Sequence, residues 1–399
     1  MKTEMSSPKT DSLFYVTSHY HGLSETFVTT LVTGLADLGW HVTVACEELH
    51  DGPSHPHVHP VQTQHRNLRN RLDRWRHTLS RNRRADPKSW SIRRAAASRL
   101  FKPLILAARP KVALIDFGYN AVLALPMCKS HRIPMAVHFH GSDITSFLAD
   151  QGYRSYLLEL FEYASAFIVA SNHIARLLIL EGCPADKIRL VRLEAATDGV
   201  VGVDWSVRRL SPPSVAFLGR LTPKKNPVAL VEAFALAKQA VPDATLTIIG
   251  SGEELARVKD RVSKLGLNES VELVPGCPRP EALRRLANHW VYAQHSVTAV
   301  RGDQEGFALS LAEAALLKMP VVSTWHNGIP EQIIDGETGY LVPEFDFPAM
   351  GQRLIQLLSD PLLCERLGAN GRKRISELCP QGQRAIAVDQ LLKTLCEHR

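Results

Sequence analysis

Short apolar stretches alternate with helical stripes of apolar residues along most of the chain. Leu13–Thr17 is followed by a stripe at helical spacing from Phe27 to Leu38, with Ser24 as its N-cap, and then by a second apolar run at Val42–Ala45. Short apolar runs that alternate with helices are typical of a parallel sheet covered on both faces. The pattern predicts an α/β fold whose further N-terminal strands are residues 112–116, 134–140, 166–170 and 188–191.

The same alternation begins again after a polar, proline-bearing stretch at residues 205–214. At 399 residues the chain is long enough for two cores. We therefore predict two Rossmann-like domains at residues 1–205 and 206–380, followed by a C-terminal helix in 381–399. The predicted C-terminal strands are residues 215–218, 244–249, 271–275, 291–293 and 321–323, and the last helices lie near 347–359, 361–377 and 382–396.

The most informative unit is residues 296–343, in which a polar loop leads into a helix and then a strand. Glu305 lies at the predicted helix start, and Glu313 follows about 12 Å farther along a helix axis. That spacing suits a nucleoside diphosphate sugar, because carboxylates accept hydroxyl hydrogen bonds at both ends and the helix N-terminus holds the phosphates. Gly306 would let the ligand approach the backbone. Taken alone, the two glutamates fit ordinary surface residues of an exposed helix better.

Cationic side chains follow the first strand of the second domain. Arg220 comes directly after Gly219, and Lys225 follows five residues later, above the edge of the sheet where ligands bind. Two cations there can neutralise a diphosphate leaving group. Without further context, a surface turn explains them equally well. The turn at Gly250-Ser-Gly252 is a weak phosphate-binding signal because its third glycine is absent.

The N-terminal half carries one histidine motif, Pro134-Met-Ala-Val-His-Phe-His-Gly-Ser-Asp143. Alternation places His138 and His140 on one face of a strand, with His140 at the carboxyl end. A lone strand-end histidine is more often structural. The chain has no Gly-x-Gly-x-x-Gly after its first strand, which argues against a dinucleotide oxidoreductase. The histidines at 50–65 fit surface residues better than a metal site.

The pattern Glu-x7-Glu resembles the retaining GT-B glycosyltransferases of family 4, since Gly-Asp (302–303) precedes it and His-Asn-Gly-Ile-Pro-Glu (326–331) and Gly-Tyr-Leu-Val-Pro (339–343) follow. The chain is most similar to the exopolysaccharide branch, typified by the colanic acid glycosyltransferases, over most of residues 12–375. The resemblance implies two Rossmann-like domains that face each other across a cleft, with the last helix packed back on the first domain. It also implies transfer from a nucleotide sugar, a UDP- or GDP-sugar, with retention.

The resemblance assigns roles residue by residue. It implies that Arg220 and Lys225 neutralise the diphosphate, Glu305 binds the sugar hydroxyls, Glu313 binds the ribose and His140 faces the sugar from the other domain. Further implied donor-binding positions are Gly219, Gly250, Gly306, Phe307, Ala308 and Leu309, and implied acceptor-side positions are Gly22, Ser24, Glu25 and Asp143.

Four positions depart from the family pattern. Ser24-Glu-Thr-Phe27 replaces a glycine pair, Asp116 stands where the family often has histidine, and Asn226 replaces a glycine. Residues 192–198 lack the usual glycine followed by Val/Ile-Asp, which makes the acceptor side the part expected to differ most.

The composition of the chain indicates the cellular compartment in which we expect the protein. The N-terminus has no apolar signal segment, and no stretch approaches the roughly 18 apolar residues of a membrane span. Seven dispersed cysteines without a Cys-x-x-Cys motif favour buried thiols in a reducing compartment. We therefore expect a cytoplasmic protein.

Positive charge is concentrated in residues 66–111, which contain fifteen lysines and arginines against two aspartates, a net charge of +13 within a total of +7. With Leu68, Leu72, Trp75 and Leu79, this block could form an amphipathic helix on anionic lipid at the inner membrane face. A solvated helix is an equal alternative. Nucleic acid is not expected, because no recognition motif accompanies the charge.

The leading hypothesis is a family 4 glycosyltransferase that acts on a lipid-linked oligosaccharide in exopolysaccharide or cell-surface glycan synthesis. No Asp-x-Asp motif stands near the predicted phosphates, so we expect neither a metal nor a cofactor besides the donor. Alternatives are an enzyme that glycosylates a small soluble natural product, a GT-B epimerase or hydrolase, and a non-catalytic protein associated with membrane or nucleic acid.

Overall fold

The computed structural model describes residues 11–22, 25–63, 87–197 and 199–397. The chain divides into two compact units. The first comprises residues 1–191 together with 382–399, and the second comprises residues 192–381. Among the helices described, none combines the length and apolar character needed to cross a membrane.

The first unit is a parallel sheet with helices between its strands. In chain order its elements are β1 (Ser12–Tyr20), α1 (Thr26–Asp37), β2 (His41–Leu49), β3 (Val58–Gln62), α2 (Pro87–Ala108), β4 (Val112–Asp116), α3 (Gly118–His131), β5 (Met135–Phe139), α4 (Gln151–Arg154), α5 (Leu157–Tyr163), β6 (Ala166–Val169), α6 (Asn172–Leu180) and β7 (Ile188–Leu190). The strand order across the sheet is β3-β2-β1-β4-β5-β6-β7. Every residue of β4 and β5 is buried, as expected for central strands of a sheet covered on both faces.

The second unit repeats this architecture. Its elements are α7 (Trp205–Arg208), β8 (Ser214–Leu218), α8 (Pro227–Ala240), β9 (Thr245–Ile249), α9 (Leu255–Lys264), β10 (Val271–Val274), α10 (Arg279–Leu286), β11 (Val291–Ala293), α11 (Leu309–Leu316), β12 (Val321–Thr324), α12 (Ile329–Gln332), β13 (Gly339–Val342), α13 (Phe347–Leu358) and α14 (Pro361–Leu378). The strand order is β10-β9-β8-β11-β12-β13. The direction of the winding therefore reverses between β8 and β11, the position at which ligands bind in such sheets. Both units are Rossmann-like.

The last helix, α15 (Gln383–Glu397), is part of the first unit. Its Val388 and Leu392 are fully buried in the same core as the first strands. The indole N–H of Trp40 donates to Asp389 Oδ1 at 2.8 Å, and Arg384 Nη1 donates to the Phe27 carbonyl at 2.7 Å. The chain thus returns to its first unit after completing the second.

The boundary between the units lies at 191/192, earlier than the predicted 205/206. Residues 192–205 are polar in sequence, but the second unit holds them. Arg279 donates to the Ala196 carbonyl at 2.6 Å, and the Trp205 indole donates to the Lys318 carbonyl at 3.1 Å. The polar stretch is therefore packed against the second unit. Hydrogen bonds from side chains to backbone carbonyls hold it there, and the sequence alone does not show them.

Strand β3 was not predicted, because its residues lie among the histidines and prolines of 50–65. It pairs in parallel with β2 at the edge of the sheet, and Val58 is its one buried residue. Pro60 is tolerated there because an edge strand has one side without a ladder partner.

The basic block divides into two parts. Residues 64–86, which include the predicted lipid-facing stripe, lie outside the described residues. The remainder forms α2, whose Trp90, Phe101 and Ile105 are buried in the core of the first unit. The opposite face is exposed and carries Ile92, Arg99, Lys102 and Leu106. This part of the block is therefore a packed helix with a mixed basic and apolar outer face.

Candidate active site

A buried ion pair lies at the carboxyl edge of the second sheet. Lys225 Nζ is 3.1 Å from Glu305 Oε2, and both side chains are 12% exposed. Lys225 ends a short 3₁₀ turn after β8, and Glu305 lies in the loop that follows β11. The structure thus brings together two residues that are eighty positions apart and were each predicted to act on the donor.

A glutamine orients the lysine. Lys225 Nζ donates to Gln294 Oε1 at 3.1 Å, and Gln294 Nε2 donates to Ser296 Oγ at 2.8 Å. The Tyr292 hydroxyl lies 3.1 Å from Gln294 Oε1 and 2.8 Å from Ser310 Oγ on α11. This network ties Lys225 to both β11 and α11. Sequence reasoning missed it, since an apolar strand followed by Gln-His-Ser gives no sign that the glutamine faces a lysine.

The electrostatics favour an ionised pair. Burial raises the pKa of the Glu305 carboxyl, but the charges of Lys225 and Lys224 outweigh it and lower this pKa from 4.5 to about 2. Burial lowers the pKa of Lys225, and Glu305 opposes that effect. Glu305 is therefore a carboxylate at neutral pH, able to accept hydrogen bonds from hydroxyl groups but not to donate one.

Two neighbours hold the loop that carries Glu305. The Glu305 backbone N–H donates to His326 Nε2 at 3.0 Å, so the ring proton lies on Nδ1, which donates to Glu344 Oε1 at 2.6 Å. Lys224 Nζ contacts Asp303 Oδ1 at 3.3 Å and the Gln304 carbonyl at 3.2 Å. The His326-Asn-Gly motif thus has a physical role as the support of this loop.

The helix after the loop begins later than predicted. α11 starts at Leu309 with Ala308 as N-cap, so Gly306 and Phe307 are in the loop. The predicted spacing of about 12 Å between Glu305 and Glu313 assumed that both residues lie on one helix, whereas only Glu313 does. The Ala308 N–H donates to Gln332 Oε1 at 3.2 Å, which removes it from the expected anion-binding groups.

Glu313 is engaged by an arginine that was not predicted. Its carboxylate is 6% exposed and lies 2.8 Å from Arg279 Nη2. Arg279 is the first residue of α10, and the same guanidinium donates to the Ala196 carbonyl. The segment of residues 192–197, where the chain departs from the family pattern, is therefore in hydrogen-bond contact with the arginine that pairs with Glu313.

The remaining predicted donor residues differ in their surroundings. Arg220 is exposed, yet its charge lowers the pKa of Lys225, as burial and the charge of Lys224 also do. Gly250 has a φ of +151°, and a Cβ there would lie 1.9 Å from the Gly219 carbonyl. The close approach of two backbone turns thus requires this glycine. Asn226, where the family has glycine, is left-handed at φ +41°, which asparagine tolerates.

The first unit holds a second polar group around Asp116, which is fully buried at the end of β4. His140 Nε2 donates to Asp116 Oδ1 at 2.8 Å, and the Tyr15 hydroxyl donates to the other oxygen. Phe27 and Phe117 each place a ring 4.6 Å from the His140 ring. Among the described residues, His140 Nδ1 has no hydrogen-bond partner and, in the neutral ring, carries an acceptor lone pair.

Asp143 has a structural task. Its carboxylate is fully buried and accepts the backbone N–H groups of Gly118, His140 and Gly141 at 3.0, 3.1 and 2.8 Å. These bonds fix the turn that presents His140. Burial raises the pKa of Asp143, against the lowering effects of His140 and of the three N–H groups.

The other predicted acceptor-side residues, Gly22, Ser24 and Glu25, lie between β1 and α1 in the sequence. Gly22 follows β1, and the Glu25 backbone N–H donates to its carbonyl at 3.2 Å. Glu25 occupies the N-cap position of α1 without a side-chain cap hydrogen bond. Ser24, predicted as that cap, lies outside the described residues. The roles of these residues and of His140 towards a substrate stay predictions.

Comparisons with known proteins agree on the family. Residues 206–374 match the model described as glycosyl transferases group 1, and residues 24–192 match glycosyltransferase family 4. The amylovoran biosynthesis glycosyltransferase AmsK of Erwinia amylovora is 32% identical over 283 residues, 68% of each chain. The colanic acid biosynthesis glycosyltransferase WcaL of Escherichia coli is 30% identical over 363 residues, 83% of this chain and 86% of WcaL.

Solved structures show the fold. A sucrose-phosphate synthase from Thermosynechococcus elongatus superposes with a TM-score of 0.80 over 98% of this chain and all of its own, at 19% identity. HepE of Anabaena, solved in complex with UDP and glucose, superposes with a TM-score of 0.75 over 96% of this chain and all of its own, at 16% identity. Both domains of the expected GT-B fold are thus present.

The charge of Glu305 gives a testable pH dependence. Folding lowers the pKa of Glu305, so the ionised carboxylate stabilises the folded protein. This contribution to the free energy of unfolding is complete above the unfolded pKa of 4.5 and is lost as the pH falls towards the folded pKa of about 2. The difference in unfolding free energy between the wild type and Glu305→Gln should shrink by about 2 kcal/mol between about pH 6 and about pH 3. Urea denaturation of both proteins across that range measures it.

Glu281→Gln is the matched control, since Glu281 pairs with Arg285 on an exposed helix face. Its difference from the wild type should stay below about 1 kcal/mol at every pH. A Glu305→Gln difference that does not change with pH would show that the buried pair is not ionised as described.

Proposed function

Because the chain belongs to glycosyltransferase family 4, we propose that it transfers a sugar from a nucleoside diphosphate sugar to a hydroxyl group of a growing glycan, with retention at the anomeric carbon. AmsK and WcaL are named for amylovoran and colanic acid biosynthesis, and polysaccharide biosynthesis is the process that we assign to this chain. Donor, stereochemistry and acceptor are the proposed parts.

The observation that carries the proposal is the buried Lys225–Glu305 pair above the switch point of the second sheet. Breaking the bond between sugar and diphosphate leaves negative charge on the leaving group and positive character on the sugar. Lys225 meets the first demand as a buried cation, and Glu305 meets the second as a fixed carboxylate beside it. A site already ionised and oriented needs no rearrangement as these charges develop.

Arg220 and the start of α11 complete the proposed diphosphate site. Arg220 is exposed and lies three residues before the turn that ends in Lys225, so its guanidinium can reach a ligand from solvent. Gly306 lies ahead of the helix and has no side chain to obstruct a ligand, and the N-terminal dipole of the helix favours an anion. These positive groups suffice to offset a diphosphate, and we therefore propose that donor binding needs no divalent metal.

Glu313 is proposed to bind the ribose hydroxyls. An ionised carboxylate accepts several hydrogen bonds at once, so Arg279 can orient the Glu313 carboxylate while a hydroxyl group also donates to it. The base is proposed to be uracil or guanine. HepE was solved with UDP, and a Mycolicibacterium smegmatis relative, 34% identical over 161 residues, is named as a GDP-mannose-dependent mannosyltransferase.

A lipid-linked oligosaccharide at the inner face of a membrane is the proposed acceptor. The exposed face of α2 supports this, since Ile92, Arg99, Lys102 and Leu106 recur at helical spacing and combine cations with apolar side chains. Ile92 is 70% exposed and Leu106 53%, so both apolar side chains could enter a lipid surface. The protein would then be cytoplasmic and peripheral.

Loss of either partner of the ion pair should abolish most activity. Lys225→Ala removes the cation at the leaving group, and Glu305→Ala removes the carboxylate and leaves a buried lysine unpaired. We expect each variant to lower kcat by roughly 100-fold to 1,000-fold. The measurement is release of nucleoside diphosphate from the donor in the presence of a polysaccharide-lipid acceptor fraction.

Lys259→Ala is the control, because Lys259 is exposed on α9 of the same unit. It should retain wild-type turnover. If Lys225→Ala and Glu305→Ala also kept near-wild-type turnover in folded protein, the assigned site would be wrong.

Membrane contact predicts a charge dependence. The double variant Arg99→Glu/Lys102→Glu should bind vesicles containing anionic phospholipid at least roughly tenfold more weakly than the wild type, because each basic residue near the surface contributes about 1 kcal/mol. Co-sedimentation measures the difference. Arg372→Glu/Lys373→Glu makes the same charge change on an exposed part of α14 and should bind like the wild type. Equal loss in both variants would indicate a general charge effect instead.

A further inference from the structure

A cluster of metal-ligating side chains lies at the carboxyl ends of the first two strands, outside the donor site. It consists of His19 on β1, Glu48 on β2 and His50 directly after β2. We propose that this His19–Glu48–His50 cluster binds a transition-metal ion of the Zn²⁺ type. The site is separate from the Lys225–Glu305 pair, which lies in the second unit.

The backbone places all three side chains on one face of the sheet. His19 and Glu48 are direct partners in the parallel ladder between β1 and β2, and partners in a ladder point to the same side. His50 is two residues beyond Glu48, so alternation returns it to that side. Its backbone N–H donates to the Tyr20 carbonyl at 3.0 Å, which continues the ladder and fixes its position. The three ligands are thus carried by paired backbone.

The ligand atoms are nearly at metal-binding separation. Glu48 Oε2 lies 3.4 Å from His19 Nδ1 and 3.9 Å from His50 Nε2, and all three atoms fall within 4.8 Å of one another. Tetrahedral coordination with bonds of about 2.0–2.1 Å separates its ligands by roughly 3.3 Å. The two imidazole rings stack at 5.9 Å with an angle of 27° between planes. Small side-chain rotations therefore suffice to enclose an ion.

The donor set selects the class of ion. Two imidazole nitrogens and one carboxylate oxygen suit Zn²⁺, Ni²⁺ or Cu²⁺, whereas Mg²⁺ and Ca²⁺ prefer oxygen ligands. The side chains of His19, Glu48 and His50 are 30, 58 and 46% exposed, so an ion can enter from solvent. Three protein ligands leave a fourth tetrahedral position for water or another donor.

A second group of two histidines and one carboxylate is less suited to bind an ion. Asp116, His138 and His140 also lie within 4.8 Å of one another. A cation is already there, because Arg384 Nη2 lies 3.3 Å from His138 Nδ1. His138 and Asp116 are moreover fully buried, so an ion would have no open path from solvent. The side chains of His19, Glu48 and His50, by contrast, are open to solvent.

A bound ion would change the stability of the structure around the cluster. It would link the ends of β1 and β2 immediately before Gly22 and Glu25, the residues assigned from sequence to the acceptor side. Binding should therefore stabilise the first unit against unfolding, because the ion binds only where the folded ladder brings its ligands together.

The test is a titration of the full-length protein, without a histidine tag, with Co²⁺ and then Zn²⁺. Co²⁺ in a tetrahedral site absorbs strongly in the visible range, and Zn²⁺ should displace it. We expect one saturable site per chain in the wild type. His50→Ala and Glu48→Gln should each weaken binding by at least roughly tenfold, and Glu48→Gln keeps the side-chain shape if His50→Ala perturbs the fold.

His57→Ala is the matched control. His57 is an exposed histidine of the same unit, in a separate group where its ring lies 4.4 Å from that of His41 and 5.7 Å from that of His55. Its loss should leave Co²⁺ affinity unchanged. The proposal is overturned if the wild type shows no saturable Co²⁺ or Zn²⁺ binding, or if His57→Ala weakens binding while His50→Ala and Glu48→Gln do not.

Discussion

The buried ion pair between Lys225 and Glu305 is the interaction on which the candidate site depends. Each charge is costly to bury alone, and the fold places the two 3.1 Å apart and gives the lysine a further acceptor in Gln294. Gln294 reaches the lysine from β11, while His326 holds the backbone of the loop that carries the glutamate. The pair thus connects the turn after β8 with the loop before α11, and it fixes the edge of the sheet at which the strand order reverses.

Much of the fold could be predicted from local patterns. The strands β4, β5, β8 and β11 are short apolar runs bounded by polar turns, and burial on both faces makes such runs easy to recognise. β3 could not be recognised because an edge strand buries little, and its residues are histidine, proline and glutamine. The boundary at 191/192 was also beyond local patterns, since Arg279 and Lys318 hold residues 192–205 from distant positions.

In the candidate site, too, the sequence predicts some residues and does not predict their partners. Lys225 and Glu305 could be identified because they follow strands at fixed offsets in a recognisable motif. Their partners could not, because a sequence does not state that Gln294 faces Lys225 or that Arg279 faces Glu313. Asp143, which the resemblance places on the acceptor side, accepts hydrogen bonds from three backbone N–H groups of the turn around His140, and the sequence does not show these bonds.

The central claim is that the second unit binds a nucleoside diphosphate through fixed cations and needs no metal to do so. The most direct measurement is the thermal shift of the protein with UDP, GDP, ADP, TDP and CDP, each with Mg²⁺ and again with a chelator. The account predicts that one of these nucleotides raises the melting temperature and that the shift is the same without metal. No shift with any nucleotide in a folded sample, or a shift that disappears with the chelator, would contradict it.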